Sequence, residues 1–143
     1  MLSVEEHVVI GRPRQEVYDF FTDPDTVTLY AANVIEYELT SGSAREVGRT
    51  GKSTVRLMGV KLDFEDTVVE MKEGSRYKVE YRGRFPTTAT VTFSDEGPGT
   101  RVTWLQEAKS LGGVFKFADG LVVTMYGKDV RANLDRAKTL LEG

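Results

Sequence analysis

The stretch that decides the fold is HVVIGRPRQEVYDFFTDPDTVTLY, residues 7–30. An apolar run is followed by Pro13, which suits the first turn of a helix because no partner is needed there for its missing N–H group. Pro24 ends this helix, since the residue before a proline is pushed out of the helical region. The apolar face between the two prolines consists of Val17, Phe20 and Phe21. The stretch therefore predicts a strand and then two short helices, the second of which ends at Leu29 or Tyr30.

The middle of the chain, from residue 33 to residue 109, has the pattern of a strand meander. Apolar and polar residues alternate in successive segments that are separated by short turns rich in glycine, as in EGS and DEGPG. The clearest segment, RYKVEYRG, puts Tyr77, Val79 and Tyr81 on one face. The alternation drifts at Val68 and Val69, which predicts a bulge there. One apolar and one polar face indicate an antiparallel sheet that is covered on one side only.

The C-terminal segment changes to helical periodicity. From Val114 to Leu141 there is no proline, and apolar residues recur at a spacing of three to four. This predicts one helix of about 40 Å. The apolar arc is wide in the first half of the helix and narrow in the second.

The composition of the chain excludes some classes of function but does not identify one. The chain of 143 residues is expected to form one domain, residues 1–143, and its 40% of hydrophobic residues are enough for a core. A net charge of −3, without a basic cluster, argues against a nucleic-acid partner. The apolar runs are too short for stable membrane insertion, and no secretory signal is evident, so we expect a cytoplasmic protein.

Cysteine and histidine usage excludes several kinds of chemistry. The chain has no cysteine, which rules out disulfides and thiolate catalysis, and its one histidine is His7. We expect His7 to face solvent on the first strand, because Val8 and Ile10 would face inward. Zinc or another transition metal is not expected, and no cofactor is predicted.

The order of elements resembles the helix-grip fold of the START-like superfamily, within it the bacterial polyketide cyclase/dehydrase and lipid-transport family. The resemblance covers nearly the whole chain and is carried by VVIGRPRQEVYDFFTDPDTVTLY, GPGTRVTW and VRANLDRAKTLLEG. It implies an α+β fold in which a curved antiparallel sheet of six or seven strands wraps a long C-terminal helix. It also implies a cavity between sheet and helix that binds hydrophobic small molecules. Many relatives have a tryptophan at the end of the second short helix, where this chain has Leu29 and Tyr30.

The candidate catalytic residues are Asp66, Tyr81 and Arg82. Asp66 shares the apolar face of its strand unless a bulge intervenes, and a buried carboxyl would have a raised pKa. We expect a bulge to turn it outward. The resemblance to aromatase/cyclases implies an inward arginine, but alternation directs Arg56 and Arg82 to water, and Arg84 is the other strand candidate.

The candidate ligand-binding residues lie on the apolar strand faces and on the facing half of the helix. They are Tyr30, Tyr37, Phe64, Tyr77, Tyr81, Trp104, Gln106, Phe117, Leu121 and Met125. Tyr30 is expected at the entrance. The buried tyrosine hydroxyls, the indole N–H group and the amide of Gln106 would need hydrogen-bond partners, which a ligand or trapped water would supply.

Three functions fit this interpretation. The first is binding, for carriage or sensing, of a hydrophobic small molecule such as a lipid or a polyketide-like compound. The second is a polyketide aromatase/cyclase or dehydratase that acts in the same cavity. The third is a protein-interaction module without a ligand. A monomer and a homodimer are both compatible with the sequence.

Overall fold

The computed structural model describes residues 2–57, 59–109 and 119–143, which contain seven strands and three helices. The elements are β1 (Leu2–Ile10), α1 (Arg14–Thr22), a 3-10 turn (Pro24–Thr26), α2 (Val27–Tyr30), β2 (Val34–Ser41), β3 (Thr50–Leu57), β4 (Val60–Lys72), β5 (Arg76–Gly83), β6 (Thr87–Glu96), β7 (Gly99–Ala108) and α3 (Asp119–Glu142).

The strands form one antiparallel sheet in the order β1-β7-β6-β5-β4-β3-β2. Strands β2 to β7 pair with their neighbours in sequence, as a meander requires, and β1 closes the order by pairing with β7. The α+β helix-grip architecture predicted from the sequence is confirmed. The predicted start of the last helix at Val114 lies outside the described residues.

The opening stretch forms the predicted strand and two short helices, with one difference in the buried face of the first helix. Helix α1 begins directly after Pro13, and its residues Val17, Tyr18 and Phe21 are at most 1% exposed, whereas Phe20, predicted on this face, is only partly buried. The backbone leaves the helical region at Asp23, whose carboxylate accepts a hydrogen bond from the backbone N–H of Asp25 at 2.9 Å. The break between the two helices therefore has its own cap.

Helix α3 lies across β1 and α2, where it is held by hydrogen bonds to backbone groups. Arg131 donates to the carbonyl of His7 at 2.7 Å, and Arg136 donates to the carbonyl of Tyr30 at 2.6 Å. The His7 side chain itself is exposed, as expected. Helix α2 and strand β1 therefore receive the second half of α3. The buried residues of α3 are Val130, Leu134 and Ala137.

Two irregularities in the sheet decide which side chains face inward. The register between β4 and β5 shifts between Val68 and Glu70, which confirms the predicted bulge. A second shift lies in β2 between Val34 and Glu36. Regular alternation predicts that Ile35 shares the inner face of Tyr37, but the shift leaves Ile35 38% exposed. No helix in the described ranges is long and apolar enough to cross a membrane.

Candidate functional site

An inner cavity of about 150 Å³ lies between the concave face of the sheet, α2 and α3. Its wall brings together seven of the predicted ligand-binding residues, namely Tyr30, Tyr37, Phe64, Tyr77, Tyr81, Trp104 and Gln106. Six of these seven are aromatic. Alternation within single strands therefore places side chains from β2, β4, β5 and β7 around one space.

A larger cleft of about 910 Å³ adjoins the inner cavity at the end of the sheet where α3 begins. Tyr81, Thr87 and Tyr126 line both spaces. The apolar residues that line only the cleft include Val60, Leu62, Phe85, Val122 and Met125. We call this space the outer cleft. Met125 thus belongs to the outer cleft and not to the inner cavity.

The remaining predictions on the helices need correction. Tyr30 is only 4% exposed and packs against Phe21 with ring centroids 5.1 Å apart, so it is part of the wall and not of the entrance. Leu121 lines neither space and is 64% exposed. It lies about 100° around α3 from Val122, which does line the cleft. Leu29 is also exposed, and Phe117 lies outside the described residues.

Asp66 is buried on the inner face of β4 and lines the inner cavity, with 1% of its surface exposed. The expectation that a bulge turns it outward is wrong, because the register shift lies beyond it, between Val68 and Glu70. Its Oδ1 accepts a hydrogen bond from the Tyr37 hydroxyl at 3.4 Å, whereas its Oδ2 has no partner among the described residues. Burial raises the pKa of Asp66, although Tyr37 and the positive charge of Arg49 oppose that rise.

Gly51 makes room for the contact between Tyr37 and Asp66. It pairs with Asp66 across β3 and β4. A Cβ atom at position 51 would lie 2.7 Å from Cζ of Tyr37 and 3.0 Å from Oδ2 of Asp66. Any larger residue at this position would displace the two polar side chains, so the small residue is part of the site.

Arg49, which the sequence analysis missed, does not line the inner cavity but contacts Tyr77, which does. Arg49 is 1% exposed, its Nη2 donates to the Tyr77 hydroxyl at 3.3 Å, and its guanidinium carbon lies 5.8 Å from the centre of that ring. Its Nη1 donates to the carbonyl of Ala44, and its Nε has no partner in the described part of the chain. The signal was the period of two, because Val55 faces inward and residues 53, 51 and 49 share its face.

The polar residues on the opposite wall bond to one another. Trp104 donates its indole N–H to Oε1 of Gln106 at 3.0 Å, and Nε2 of Gln106 donates to the Thr87 hydroxyl at 2.9 Å. The expectation that a ligand or water must supply their partners is therefore corrected. This pairing was open to sequence reasoning, since residues two apart on a strand share a face.

The other candidate residues lie at the margin. Arg82 is exposed, donates to the Thr67 hydroxyl at 2.7 Å and lines the outer cleft. Arg56 and Arg84 are also exposed. Burial holds the pKa of Tyr81 well above its ordinary value, so its hydroxyl stays protonated at neutral pH. Within the ranges that the structure describes, no group of three or more acidic or histidine side chains could hold a metal ion.

Comparison with known proteins gives a family and a fold. The family model described as polyketide cyclase / dehydrase and lipid transport matches residues 1–142. Among curated proteins there is no significant match.

Several solved structures are similar over nearly the whole chain. TTHA0849 from Thermus thermophilus superimposes with a TM-score of 0.83 at 22% identity, over 96% of this chain and 94% of that one. A START superfamily protein from Mycobacterium smegmatis has a TM-score of 0.81 at 13% identity, over 98% and 97% of the two chains. Ara h 8.0201 has a TM-score of 0.66 at 12% identity, over 96% and 97%. At these identities the likeness shows the fold alone.

Proposed function

Because the chain belongs to the polyketide cyclase / dehydrase and lipid transport family, we propose that it binds one hydrophobic small molecule, such as a lipid or a polyketide-like compound, between its sheet and α3. The observation that carries this proposal is the inner cavity, whose aromatic wall continues into the apolar outer cleft through Tyr81, Thr87 and Tyr126. The protein would carry or sense that molecule without covalent chemistry.

The dimensions of the two spaces support a ligand of ordinary size. Small-molecule sites span about 300–1,000 Å³ and are mostly apolar, with a few polar groups that fix orientation. The inner cavity, at about 150 Å³, is below that range, and the outer cleft, at about 910 Å³, lies within it. A ligand of ordinary size that enters the inner cavity would therefore extend into the outer cleft.

A second candidate function is catalysis, because Asp66 has the attributes of a general acid or base. It is a buried carboxyl in the cavity wall, its pKa is raised, and its Oδ2 has no hydrogen-bond partner among the described residues. Cyclisation or dehydration of a poly-β-ketone requires proton transfer, for which such a carboxyl is suited. Turnover of a β-ketone substrate that Asp66→Asn abolishes would support this function, and binding without turnover would contradict it.

Binding is tested by filling the cavity. Val55 lines the inner cavity, whereas its neighbour Arg56 is exposed on the outer face of β3. With N-phenyl-1-naphthylamine as the fluorescent probe, we expect Val55→Phe to weaken binding by about tenfold or more, a change of at least about 1.4 kcal/mol. The matched control Arg56→Phe should bind as the wild type does. Equal binding by both variants, or no binding by the wild type, would contradict the proposal.

A further inference from the structure

We propose that the β3–β4 side of the inner cavity recognises a neutral, hydrogen-bond-donating head group, a phenolic or alcoholic hydroxyl, through Oδ2 of Asp66. The ligand would lie with this head against Asp66 and with its apolar part in the outer cleft. This inference rests on the proposed function and adds to it the chemical class of the ligand and its orientation.

The first argument is the free oxygen of Asp66. A buried polar atom without a hydrogen bond costs about 1–3 kcal/mol, and buried polar groups are therefore almost always paired. Asp66 is 1% exposed and lines the cavity, and its Oδ2 is unpaired among the described residues while Oδ1 is already used by Tyr37. A donor on the ligand would remove this cost, whereas an ether or a hydrocarbon would leave it in place.

The second argument is charge. The guanidinium of Arg49 is buried on the same side and acts on Asp66 through its charge, without an ion pair between them in the described part of the structure. The two charges offset each other. Arg49 does not itself line the cavity. A cationic head beside Asp66 would be repelled by the charge of Arg49, and an anionic head would lie against Asp66 itself, in surroundings that screen charge weakly. Asp129, the other carboxylate of this cavity, lies on α3 and accepts a hydrogen bond from Asn33 at 3.0 Å.

The third argument is size and direction. The inner cavity has a volume of about 150 Å³. An apolar cavity of about this volume is large enough for one benzene ring. The polar groups on the β6–β7 side are already bonded to one another, so they do not compete for the head group. The apolar part of the ligand then passes Tyr81 and Thr87 into the outer cleft.

The test uses three probes that differ only at the head: 4-hexylphenol, 4-hexylanisole and 4-hexylbenzylamine. Isothermal titration calorimetry on the wild type should show the phenol binding about tenfold more tightly than the anisole, which is worth about one hydrogen bond. The variant Asp66→Ala should bind both with similar affinity. The control variant Asp63→Asn changes an exposed carboxylate on the outer face of β4 and should keep the preference. Binding of the anisole by Asp66→Ala also confirms that this variant is folded.

The outcomes separate this inference from the proposed function. Equal binding of phenol and anisole by the wild type, a preference that persists in Asp66→Ala, or tightest binding of the amine would overturn the inference and leave the proposed function standing. Failure of all three probes to bind would overturn both.

Discussion

The two sides of the inner cavity treat their buried polar groups in opposite ways. On the β6–β7 side, Trp104, Gln106 and Thr87 form a continuous chain of hydrogen bonds. On the β3–β4 side, Asp66 lines the cavity and Arg49 lies outside its wall. Each is 1% exposed, yet Oδ2 of Asp66 and Nε of Arg49 have no partner among the described residues. On the first side, these three polar side chains are paired with one another. The second, which we call the incomplete side, leaves these two buried polar atoms unpaired, and such atoms oppose folding.

This difference shows why the polar content of a cavity is a poor guide to its binding site. Trp104 and Gln106 are polar enough to contact a ligand, but they already bond to each other and to Thr87. The number of unsatisfied atoms distinguishes the two sides, and the comparison can be tested by removing one group at a time.

The largest effect is expected for Arg49→Met, which removes the guanidinium from the incomplete side. Tyr77 then loses its hydrogen-bond donor, and Asp66 loses the charge that offsets its own. We expect the free energy of unfolding to fall by about 2–3 kcal/mol, as for the loss of buried hydrogen bonds to a charged group, measured by urea denaturation. Arg56→Met, at an exposed position of β3, should change it by less than about 0.5 kcal/mol. A similar loss in both variants would contradict this assignment.

A smaller loss of stability is expected from a change on the β6–β7 side. Gln106→Leu keeps the approximate size of the side chain but leaves the indole N–H of Trp104 without its acceptor and the Thr87 hydroxyl without its donor. The free energy of unfolding should fall by about 1–2 kcal/mol in the same assay. An unchanged or higher stability would show that this side is not held by the hydrogen-bond chain.

The smallest change in the free energy of unfolding is expected for Asp66→Asn, and it is a gain in stability, whereas the other two variants lose stability. Burial raises the pKa of Asp66 above its ordinary value of 3.8, so the folded protein retains this proton to a higher pH than the unfolded chain does. Ionisation of Asp66 therefore lowers the free energy of unfolding as pH rises through that window. The difference in stability between Asp66→Asn and the wild type should move in favour of the variant as the pH rises from below 3.8, the ordinary pKa, to above it.

Thermal unfolding across this pH range measures that difference. Asp63→Asn is the control, because this carboxylate is exposed. A difference for Asp66→Asn that does not depend on pH would mean that Asp66 ionises as easily in the folded protein as in the unfolded chain.

The fold followed from local patterns, whereas the site depended on irregularities that local patterns leave open. Alternation in β5 correctly placed Tyr77 and Tyr81 inward, because nothing interrupts that strand. Asp66 was expected to face outward because the drift at Val68 shows that a bulge exists but not on which side of Asp66 it acts. The register between β4 and β5 settles that point.

Arg49 was missed for a different reason. It stands at the junction of a loop and β3, where a charged residue is ordinarily exposed, although alternation from Val55 places it on the inner face. Its hydrogen bonds to Tyr77 and Ala44 accompany its burial. Leu121 was placed wrongly because helical periodicity gives the apolar face of α3 but not where the sheet ends beside it.

The orientation of a bound molecule tests the central claim most directly. Nuclear Overhauser effects between 4-hexylphenol and the methyl groups of the protein distinguish the two ends, because Val55 and Val79 line the inner cavity and Met125 lines the outer cleft. We predict contacts from the ring protons to Val55 and Val79, and from the terminal methyl group of the hexyl chain to Met125. Ring contacts to Met125 with the hexyl chain against Val55 and Val79, or contacts to Met125 alone, would contradict the claim that the incomplete side of the cavity receives the polar head.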